Sequence, residues 1–470
     1  MKKKSIACLA LAALAALPAL AQSRPVERDY GDLKTSAKHV DWLPSAVIYE
    51  MNLRQGTAGR TLKSASEELP RLKDLGVDIV WLMPIHPISE LNRKGTLGSY
   101  YAVRDYKAVN PEFGTFDDLK DFVARAHALG MKVILDEVCN HTGCDNPWVK
   151  DHPEYYAKDK DGKMFGPFDW TDTYKLDYSN PDTRAAMLDA LKFWVREADI
   201  DGYRADVAMQ VPTDFWVEAR RELEQIKPVF MLAEASEPDL TVAAFDADYA
   251  WPMKDVFNAI AAAKGVNSYA KAHGQKLPAL DAQAIYAELD RQAKANSRGS
   301  VRMNMVTNHD LNSWEGTEFD RYGDAVGAFA VLSYTLPGLP MMYTGQEVGW
   351  NKAFEFFEHD QTPDYAPNQF TAFYQMLNAL KHAQPALRAG ETGGELRRLD
   401  TAGNPDILAF TRTLPDSEVV VIVNLSEKEQ PLSLQGQTPD LAGRIDYFTG
   451  QDAAYPQTLQ PWEFHVYTRK

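Results

Sequence analysis

Two charged side chains lie two positions apart in an apolar segment of the chain, IDGYRADVAM at residues 200–209. They are Arg204 and Asp206, and because residues i and i+2 of a strand point to the same side, they share one face of the predicted strand. A buried strand does not accept a guanidinium and a carboxylate unless the two are paired. We therefore expect Arg204 to hold Asp206 ionised and oriented, as a nucleophilic carboxylate requires.

Polar residues also end three other apolar runs, in the segments DEVCNH, FMLAEAS and TNHD. In chain order they are Asp136, Asn140, His141, Glu234, His309 and Asp310. Seen alone, an Arg–Asp pair is more often a structural ion pair, and an Asn-His-Asp triplet is as often a capped turn. Their occurrence together, each at the end of a predicted strand, favours a catalytic site instead.

The separation of Asp206 and Glu234 in the sequence indicates a type of reaction. They are 28 residues apart, about one strand–helix repeat, so they belong to neighbouring strands about 4.8 Å apart. Carboxyl groups about 5 Å apart are typical of retaining glycosidases, in which one attacks the sugar carbon and the other protonates the leaving oxygen. The negative charges of Asp206 and Asp310 should raise the pKa of Glu234, which suits a general acid.

Alternating apolar runs and amphipathic segments predict the elements that position these side chains. From residue 46 onwards they form eight strand–helix units, which favour a parallel (β/α)8 barrel of the TIM type over its rival, a doubly wound open sheet. We expect the barrel at 46–141 and 181–388, interrupted by a small inserted domain B at 142–180. The stretch 250–278 reads as irregular. Residues 389–470 alternate short strands with turns, which predicts an antiparallel β-sandwich, domain C.

The N-terminus and the charge limit where the protein acts and what it binds. Three lysines at positions 2–4 precede a short apolar run with a small-residue end at 19–21, so 1–21 reads as a signal peptide and 22–45 as a lead-in. We therefore expect a periplasmic or secreted protein. Without those lysines the formal net charge changes from −16 to −19, which disfavours nucleic acid and anionic membranes as partners. No later segment is long and apolar enough to span a bilayer.

Two cysteines, Cys139 and Cys144, lie beyond the predicted signal peptide. In an oxidising compartment they either form a disulfide or remain two buried thiols, and the sequence favours neither.

The order of the motifs resembles that of the α-amylase family, glycoside hydrolase family 13. DEVCNH resembles the family's motif after the third strand, GYRAD that on the fourth, LAEAS the acid after the fifth, and NHD the motif after the seventh. GSYYAVRDY resembles the segment whose tyrosine, here Tyr101, stacks on the sugar at the cleavage point. The similarity covers roughly residues 45–390.

The resemblance implies a role for each of these residues. The catalytic residues would be the nucleophile Asp206, the acid/base Glu234 and the transition-state stabiliser Asp310. The substrate-binding residues would be Tyr101, Asp136, His141, Arg204 and His309. The implied activity is retaining hydrolysis of α-1,4-glucosidic bonds in starch-like glucans or maltooligosaccharides, with no organic cofactor. Alternatives are an exo-acting α-glucosidase or maltogenic enzyme, a transglycosylase, and, from another class, a non-catalytic glucan-binding protein.

Departures from the family pattern concern product contacts and metal binding. Met209 and Gln210 stand where many α-amylases have Lys-His. The calcium loop that some members carry after the first strand is replaced by NLRQGTAGRT. Asn140 occupies a position that often ligates a structural calcium, with Asp145 and Asp172 as candidate partners. The alternative is that Asn140 only hydrogen-bonds the loop.

Two further features have a structural and a functional interpretation. His86 ends the second strand at the same rim, and a structural role is favoured. Trp148 and the aromatic segments PEYY and FGPFDW of domain B either stack on sugar or pack domain B on the barrel, and packing is favoured for most of them.

Overall fold

Eight parallel strands close into a barrel in the computed structural model, which describes residues 29–469. The predicted signal peptide at 1–21 lies outside these residues. In chain order the strands are β1 (Ile48–Met51), β2 (Ile79–Leu82), β3 (Lys132–Glu137), β4 (His141–Gly143), β5 (Thr173–Lys175), β6 (Gly202–Ala205), β7 (Phe230–Ala233), β8 (Ala247–Tyr249), β9 (Val301–Asn304), β10 (Leu339–Tyr343), β11 (Glu395–Arg398), β12 (Ile407–Leu414), β13 (Ser417–Asn424), β14 (Gln430–Pro431), β15 (Arg444–Asp446), β16 (Thr458–Leu459) and β17 (Phe464–Arg469). The helices are α1 (Leu53–Gly56), α2 (Leu62–Leu75), α3 (Phe116–Ala128), α4 (Pro147–Asp151), α5 (Pro181–Glu197), α6 (Thr213–Glu224), α7 (Leu240–Ala243), α8 (Trp251–Ala263), α9 (Ser268–Ala272), α10 (Gln283–Ala295), α11 (His309–Trp314), α12 (Glu318–Tyr322), α13 (Val326–Thr335) and α14 (Gln369–Ala383).

The barrel strands pair in the closed order β1-β10-β9-β8-β7-β6-β3-β2. This order confirms the predicted (β/α)8 barrel and excludes the open doubly wound sheet. In a ring of eight strands, β1 and β7 are four steps apart in either direction, so they lie on opposite sides of the barrel.

The unit formed by α3 and β3 illustrates how the sequence determines the barrel. Helix α3 begins with a capping box, in which the Thr115 N–H donates to Asp118 Oδ2 over 2.8 Å and the Asp118 N–H donates to Thr115 Oγ1 over 3.1 Å. It ends before Gly130, whose φ of +76° reverses the chain. In β3, Val133 packs with the helices while Ile134 packs inside the barrel, so both faces of the strand are buried.

The stretch 250–278, predicted to be irregular, contains the helices α8 and α9. Pro252 lies in the first turn of α8, where its missing N–H costs nothing, and Gly265 follows its end with a φ of +78°. The sequence reading was wrong here because a Trp-Pro pair resembles a break when it is in fact a helix start. No helix within residues 29–469 combines the length and the apolarity that crossing a membrane requires.

Domain B is inserted between β3 and α5 and is built on the antiparallel pair of β4 and β5, with His141 opposite Lys175. Trp148 stacks on Tyr106 with ring centroids 5.1 Å apart, which fixes the insertion against the barrel, as the packing interpretation predicted. Cys139 and Cys144 are both buried free thiols, so of the two predicted alternatives the structure contains the unpaired one.

Domain C is a five-stranded antiparallel sheet in the order β11-β12-β13-β17-β15, with the two-stranded sheet of β14 and β16 beside it. Alternate residues of β12 point to opposite faces. Leu408 and Phe410 pack with the main core, whereas Ile407 and Ala409 pack with Leu459 of the small sheet. The small sheet thus completes the predicted sandwich.

The segment before β1 closes the base of the barrel. The Gly31 N–H donates to the Lys294 carbonyl over 2.9 Å, and His39 Nδ1 lies 2.8 Å from Asp246 Oδ1. Val40 and Leu43 are buried in the same cluster as the inward residues of the strands. The predicted lead-in is therefore part of the folded barrel from residue 29 onwards.

Candidate active site

The carboxyl ends of the barrel strands surround a cleft of about 440 Å³. Six residues predicted from the sequence line it: Tyr101, His141, Asp206, Glu234, His309 and Asp310. Asp136 and Arg204 lie beneath its floor with no exposed surface. The strand ends therefore bring the predicted catalytic and substrate-binding residues into one cluster.

Arg204, on β6, is the centre of this cluster. Its Nη1 donates to Asp206 Oδ1 over 2.9 Å and to Asp136 Oδ1 over 2.8 Å, and its Nη2 lies 3.1 Å from Glu234 Oε2. One buried guanidinium thus contacts three carboxyl groups. The pairing of Arg204 with Asp206 is as predicted, and the contact with Glu234 shows why both reactive carboxyls stay close together.

The backbone just after Asp206 is strained. Val207 has φ +36° and ψ +50°, a conformation that β-branched residues rarely adopt. This turn aims the Val207 N–H at Glu234 Oε2, to which it donates over 2.7 Å. The strained residue therefore fixes the acid relative to the nucleophile, which is how such strain is commonly used at active sites.

The surroundings of Glu234 raise its pKa, as the predicted role of a general acid requires. Burial raises its pKa, the Arg204 guanidinium opposes this, and the negative charges of Asp206 and Asp310 raise it further, to about 8. At neutral pH the carboxyl group is thus protonated and able to donate to a leaving oxygen. Asp206 and Asp310 raise the pKa of Glu234, as predicted from the sequence. Burial raises it more, and this larger effect was not predicted.

A chain of hydrogen bonds runs across the floor of the cleft. Glu50 Oε1 lies 2.5 Å from His309 Nδ1, His309 Nε2 lies 2.7 Å from the Tyr101 hydroxyl, and that hydroxyl donates to Asp136 Oδ2 over 3.0 Å. Asp136 also accepts from Trp81 Nε1 over 3.2 Å, so it acts as an acceptor throughout. Because the Tyr101 proton is used on Asp136, His309 must donate from Nε2 as well as from Nδ1.

His309 is therefore an imidazolium. Burial opposes the charged form, but Asp310 and Glu50 raise its pKa to about 9, against a smaller opposing effect of Arg204. Its Nε2 also lies 3.3 Å from Asp310 Oδ1, so the charged imidazole places a positive charge at the floor of the cleft. Glu50 was not identified from the sequence, although it ends the run AVIYE just as Glu234 ends its own strand.

Two buried polar atoms of cleft-lining residues have no hydrogen-bond partner within residues 29–469: Asp206 Oδ2 and His141 Nε2. A ligand in the cleft would be the partner that these atoms lack. Burial lowers the pKa of His141, which favours its neutral form. Trp170 of domain B packs against His141 with ring centroids 5.1 Å apart, so one domain B aromatic does line the cleft.

The remaining residues of the cleft wall were not predicted to contact sugar. They come from domain B and from the segments after β2, β6, β9 and β10. Their residues are Lys94, Ser99, Asp169, Asp172, Thr173, Val207, Trp314, Phe356 and Phe357.

The surroundings of Asn140 do not fit a calcium ion. Its Oδ1 accepts from Lys175 Nζ over 3.3 Å, so an ammonium group occupies the side on which a cation would bind. Asp145 accepts from backbone N–H groups of 90 and 91, and Asp172 lies 3.2 Å from Lys94. Within residues 29–469 no group of three or more His, Cys, Asp or Glu is arranged to hold a metal ion.

His86 lies away from the cleft, as the structural interpretation predicted. It has no exposed surface, packs between Tyr106 and Trp194, and its Nε2 is 3.3 Å from Glu137 Oε1. It therefore belongs to the layer between the barrel and its helices.

Comparison with known proteins finds two family models that together match most of the chain, and relatives that match it over most of its length. The sequence model for the α-amylase catalytic domain matches residues 48–174 and 158–378, and the model for the maltogenic amylase C-terminal domain matches 398–466. The chain is 28% identical to the α-amylase MalA of Haloarcula japonica, over 84% of this chain and 58% of that protein. It is 28% identical to a cyclomaltodextrinase of Bacillus sp., over 78% of this chain and 66% of that protein.

Among solved structures, a noncanonic maltogenic α-amylase, AmyB of Thermotoga neapolitana, superimposes with a TM-score of 0.75 at 26% identity. The match covers 90% of this chain and 96% of that one. The chain thus spans less than two thirds of the two curated relatives above, but almost the whole length of this structural relative.

Proposed function

The chain belongs to the α-amylase family, and from this premise we propose that it hydrolyses α-1,4-glucosidic bonds in starch-like glucans or maltooligosaccharides with retention of configuration. The observation that carries the proposal is the single guanidinium of Arg204, which contacts the carboxyl groups of both Asp206 and Glu234. Contact with one guanidinium keeps the two carboxyls close together, and a short carboxyl separation, of about 5 Å, is typical of retaining enzymes.

In the first step, Asp206 Oδ2 attacks the anomeric carbon while Glu234 transfers its proton to the leaving oxygen. The carbon–oxygen bond breaks, the leaving sugar takes the proton, and the retained sugar is esterified to Asp206. In the second step, ionised Glu234 takes a proton from water, whose oxygen displaces Asp206. The sugar leaves with its original anomeric configuration, and both carboxyl groups return to their starting states.

Other residues stabilise the reacting sugar. The unpartnered His141 Nε2 is a donor for a sugar hydroxyl, the His309 imidazolium supplies positive charge at the cleft floor, and Tyr101 lines the same cleft. The Asp310 carboxylate adds negative charge where the sugar carbon becomes positive in the transition state. Asp136 fixes Arg204 from below and leaves Asp206 Oδ2 free to attack.

The family relatives favour a hydrolase of α-glucans over other assignments. The relative of known structure is called a maltogenic amylase, which supports an exo-acting or maltogenic variant as the alternative within the same chemistry. A glucan-binding protein without activity would not need three carboxyl groups arranged around one guanidinium. We also propose a periplasmic or secreted location, supported by the lysines and apolar run of residues 1–21.

Incubation of the purified protein with maltoheptaose tests the proposal. We expect α-anomeric products at the earliest times, measured by NMR, and none from the Asp206→Asn variant. Products of β configuration, or no cleavage of any α-glucan, would contradict it.

A further inference from the structure

The position of Glu234 sets the direction in which a glucan lies in the cleft. Glu234 follows β7 and protonates the leaving sugar, so the leaving part of the glucan lies on the β7 side of the mouth. Strand β1 lies on the opposite side of the barrel, between β2 and β10. The retained, non-reducing part of the chain therefore extends towards the segments that follow β1, β2 and β10.

On that side, two distant segments join and form what we call the end wall, residues 94–99 and 355–358. The Leu97 N–H donates to the Phe357 carbonyl over 3.0 Å, and the Thr96 N–H donates to Glu358 Oε1 over 2.7 Å. Gly95 lies at the seam with a φ of +61°, and a Cβ added there would be 2.5 Å from Phe357 Cβ. The segments are thus in direct contact with each other.

Side chains from α1 fasten the end wall from behind. Arg54 has no exposed surface, and its Nη1 donates to the Gly98 carbonyl over 2.9 Å and to the Phe356 carbonyl over 3.0 Å. It therefore bridges both halves of the wall. Gln55 Nε2 donates to the carbonyl groups of Glu355 and Glu358 over 3.0 and 2.7 Å. These bonds hold the wall in place rather than leaving it as two independent loops.

The inner face of the end wall is aromatic and adjoins the cleavage point. Phe356 stacks on Tyr101 with ring centroids 6.3 Å apart and planes inclined by 13°. Trp314 packs against Phe356 and is 51% exposed, so it offers a free ring face at the mouth. Aromatic faces are the surfaces on which sugar rings stack, so the inner face of the wall suits contact with a sugar.

We propose that the end wall closes the non-reducing side of the cleft, so that the protein releases a short product of fixed length from the free non-reducing end of a linear α-glucan. This inference rests on the α-glucan hydrolase function proposed above and specifies its substrate. The residues that determine the product length are Gly95, Arg54 and Phe357, because they bring the two segments together.

Maltoheptaose and its derivative blocked by a 4,6-O-ethylidene group at the non-reducing end provide the test, with products resolved by mass. We expect one short product from the free substrate, and cleavage of the blocked substrate slower by about a hundredfold because the group meets a fixed wall. Ethylidene-capped fragments of several lengths, formed at a rate comparable to that on free maltoheptaose, would overturn the inference while leaving the hydrolase function intact. If neither substrate is cleaved, the proposed function itself fails.

Two variants and a control distinguish the effect of the end wall on product length from a general effect of mutation on folding. Gly95→Val forces the segments apart, and Phe357→Ala opens the wall without backbone strain. Both should increase the relative rate on the blocked substrate and broaden the range of product lengths. Gly162→Val is the matched control, since Gly162 has a φ of +76° and nothing within 4 Å of an added Cβ. An unchanged preference in both wall variants would overturn the inference, as would the same change in the control.

Discussion

Replacement of Glu50 by Gln tests whether this buried residue keeps His309 charged. The amide retains the size of the side chain and an oxygen that can accept from His309 Nδ1, but it removes the negative charge 2.5 Å away. The pKa of His309, about 9 in the native protein, should therefore fall. Above the new pKa, Nε2 loses its proton and no longer donates to Tyr101, and the cleft floor loses a positive charge.

The size of the effect follows from the geometry. Two unit charges about 4 Å apart interact by about 4 kcal/mol at an effective dielectric constant of about 20, which corresponds to about 3 pKa units. The pKa of His309 in the variant should therefore be about 6. The groups that still face the imidazole are Asp310, Tyr101, Asp136 and Arg204. Since the protonated form is the active one, activity should be present at low pH and lost as the pH rises through the pKa.

The assay must separate the effect of His309 titration on the rate from that of Glu234 titration, because the Glu234 pKa of about 8 also limits activity at high pH. Maltosyl fluoride meets this need, because fluoride leaves without a proton from Glu234, and kcat/KM reports only the first step. The native protein should keep its kcat/KM up to about pH 9, whereas Glu50→Gln should lose about a hundredfold between pH 5.5 and pH 8. A variant profile parallel to the native one, merely lower at every pH, would refute the charge argument and leave Glu50 a packing role.

Three other expectations can be checked with simple measurements. Asp206→Asn or Glu234→Gln should lower kcat on maltoheptaose by at least about a thousandfold while melting within about 3 °C of the native protein, and near-native rates would contradict the assigned roles. EDTA should leave the melting temperature of the native protein unchanged, and a melting temperature that depends on calcium would contradict the absence of a calcium site at Asn140. Lys175→Met should lower the melting temperature by about 1–3 °C, because it removes the hydrogen bond from Lys175 to Asn140. Thiol titration of the native chain after unfolding without reductant should detect Cys139 and Cys144 as free thiols, and a chain in which they do not react would indicate a disulfide.

The clustering of the predicted site residues could be anticipated from the sequence because its signals are local. A charged residue that ends an apolar run is visible in one dimension, and the barrel brings all such strand ends to one rim. This rule found Asp136, Asp206 and Glu234. It applied equally to Glu50, which was overlooked because no motif surrounds it.

The rest of the cleft could not be predicted because it depends on contacts between segments distant in sequence. Lys175 lies beside Asn140 only because β5 pairs with β4, which places it opposite His141. The end wall is held by hydrogen bonds that each have a backbone group on at least one side, and a backbone partner leaves no signature in residue type. Their one local sign is Gly95, whose positive φ matters only once its neighbour is known.

The segment that closes the base of the barrel also determines how the cleft is oriented when the protein is immobilised through its N-terminal side. Residue 31 is bonded to the end of α10, just ahead of the first residue of β9, so the chain enters at the face opposite the cleft. A tether attached upstream of residue 29, to a bead, a sensor surface or a fused partner, would leave the mouth facing outward. Long glucans could then reach the immobilised protein without passing its support.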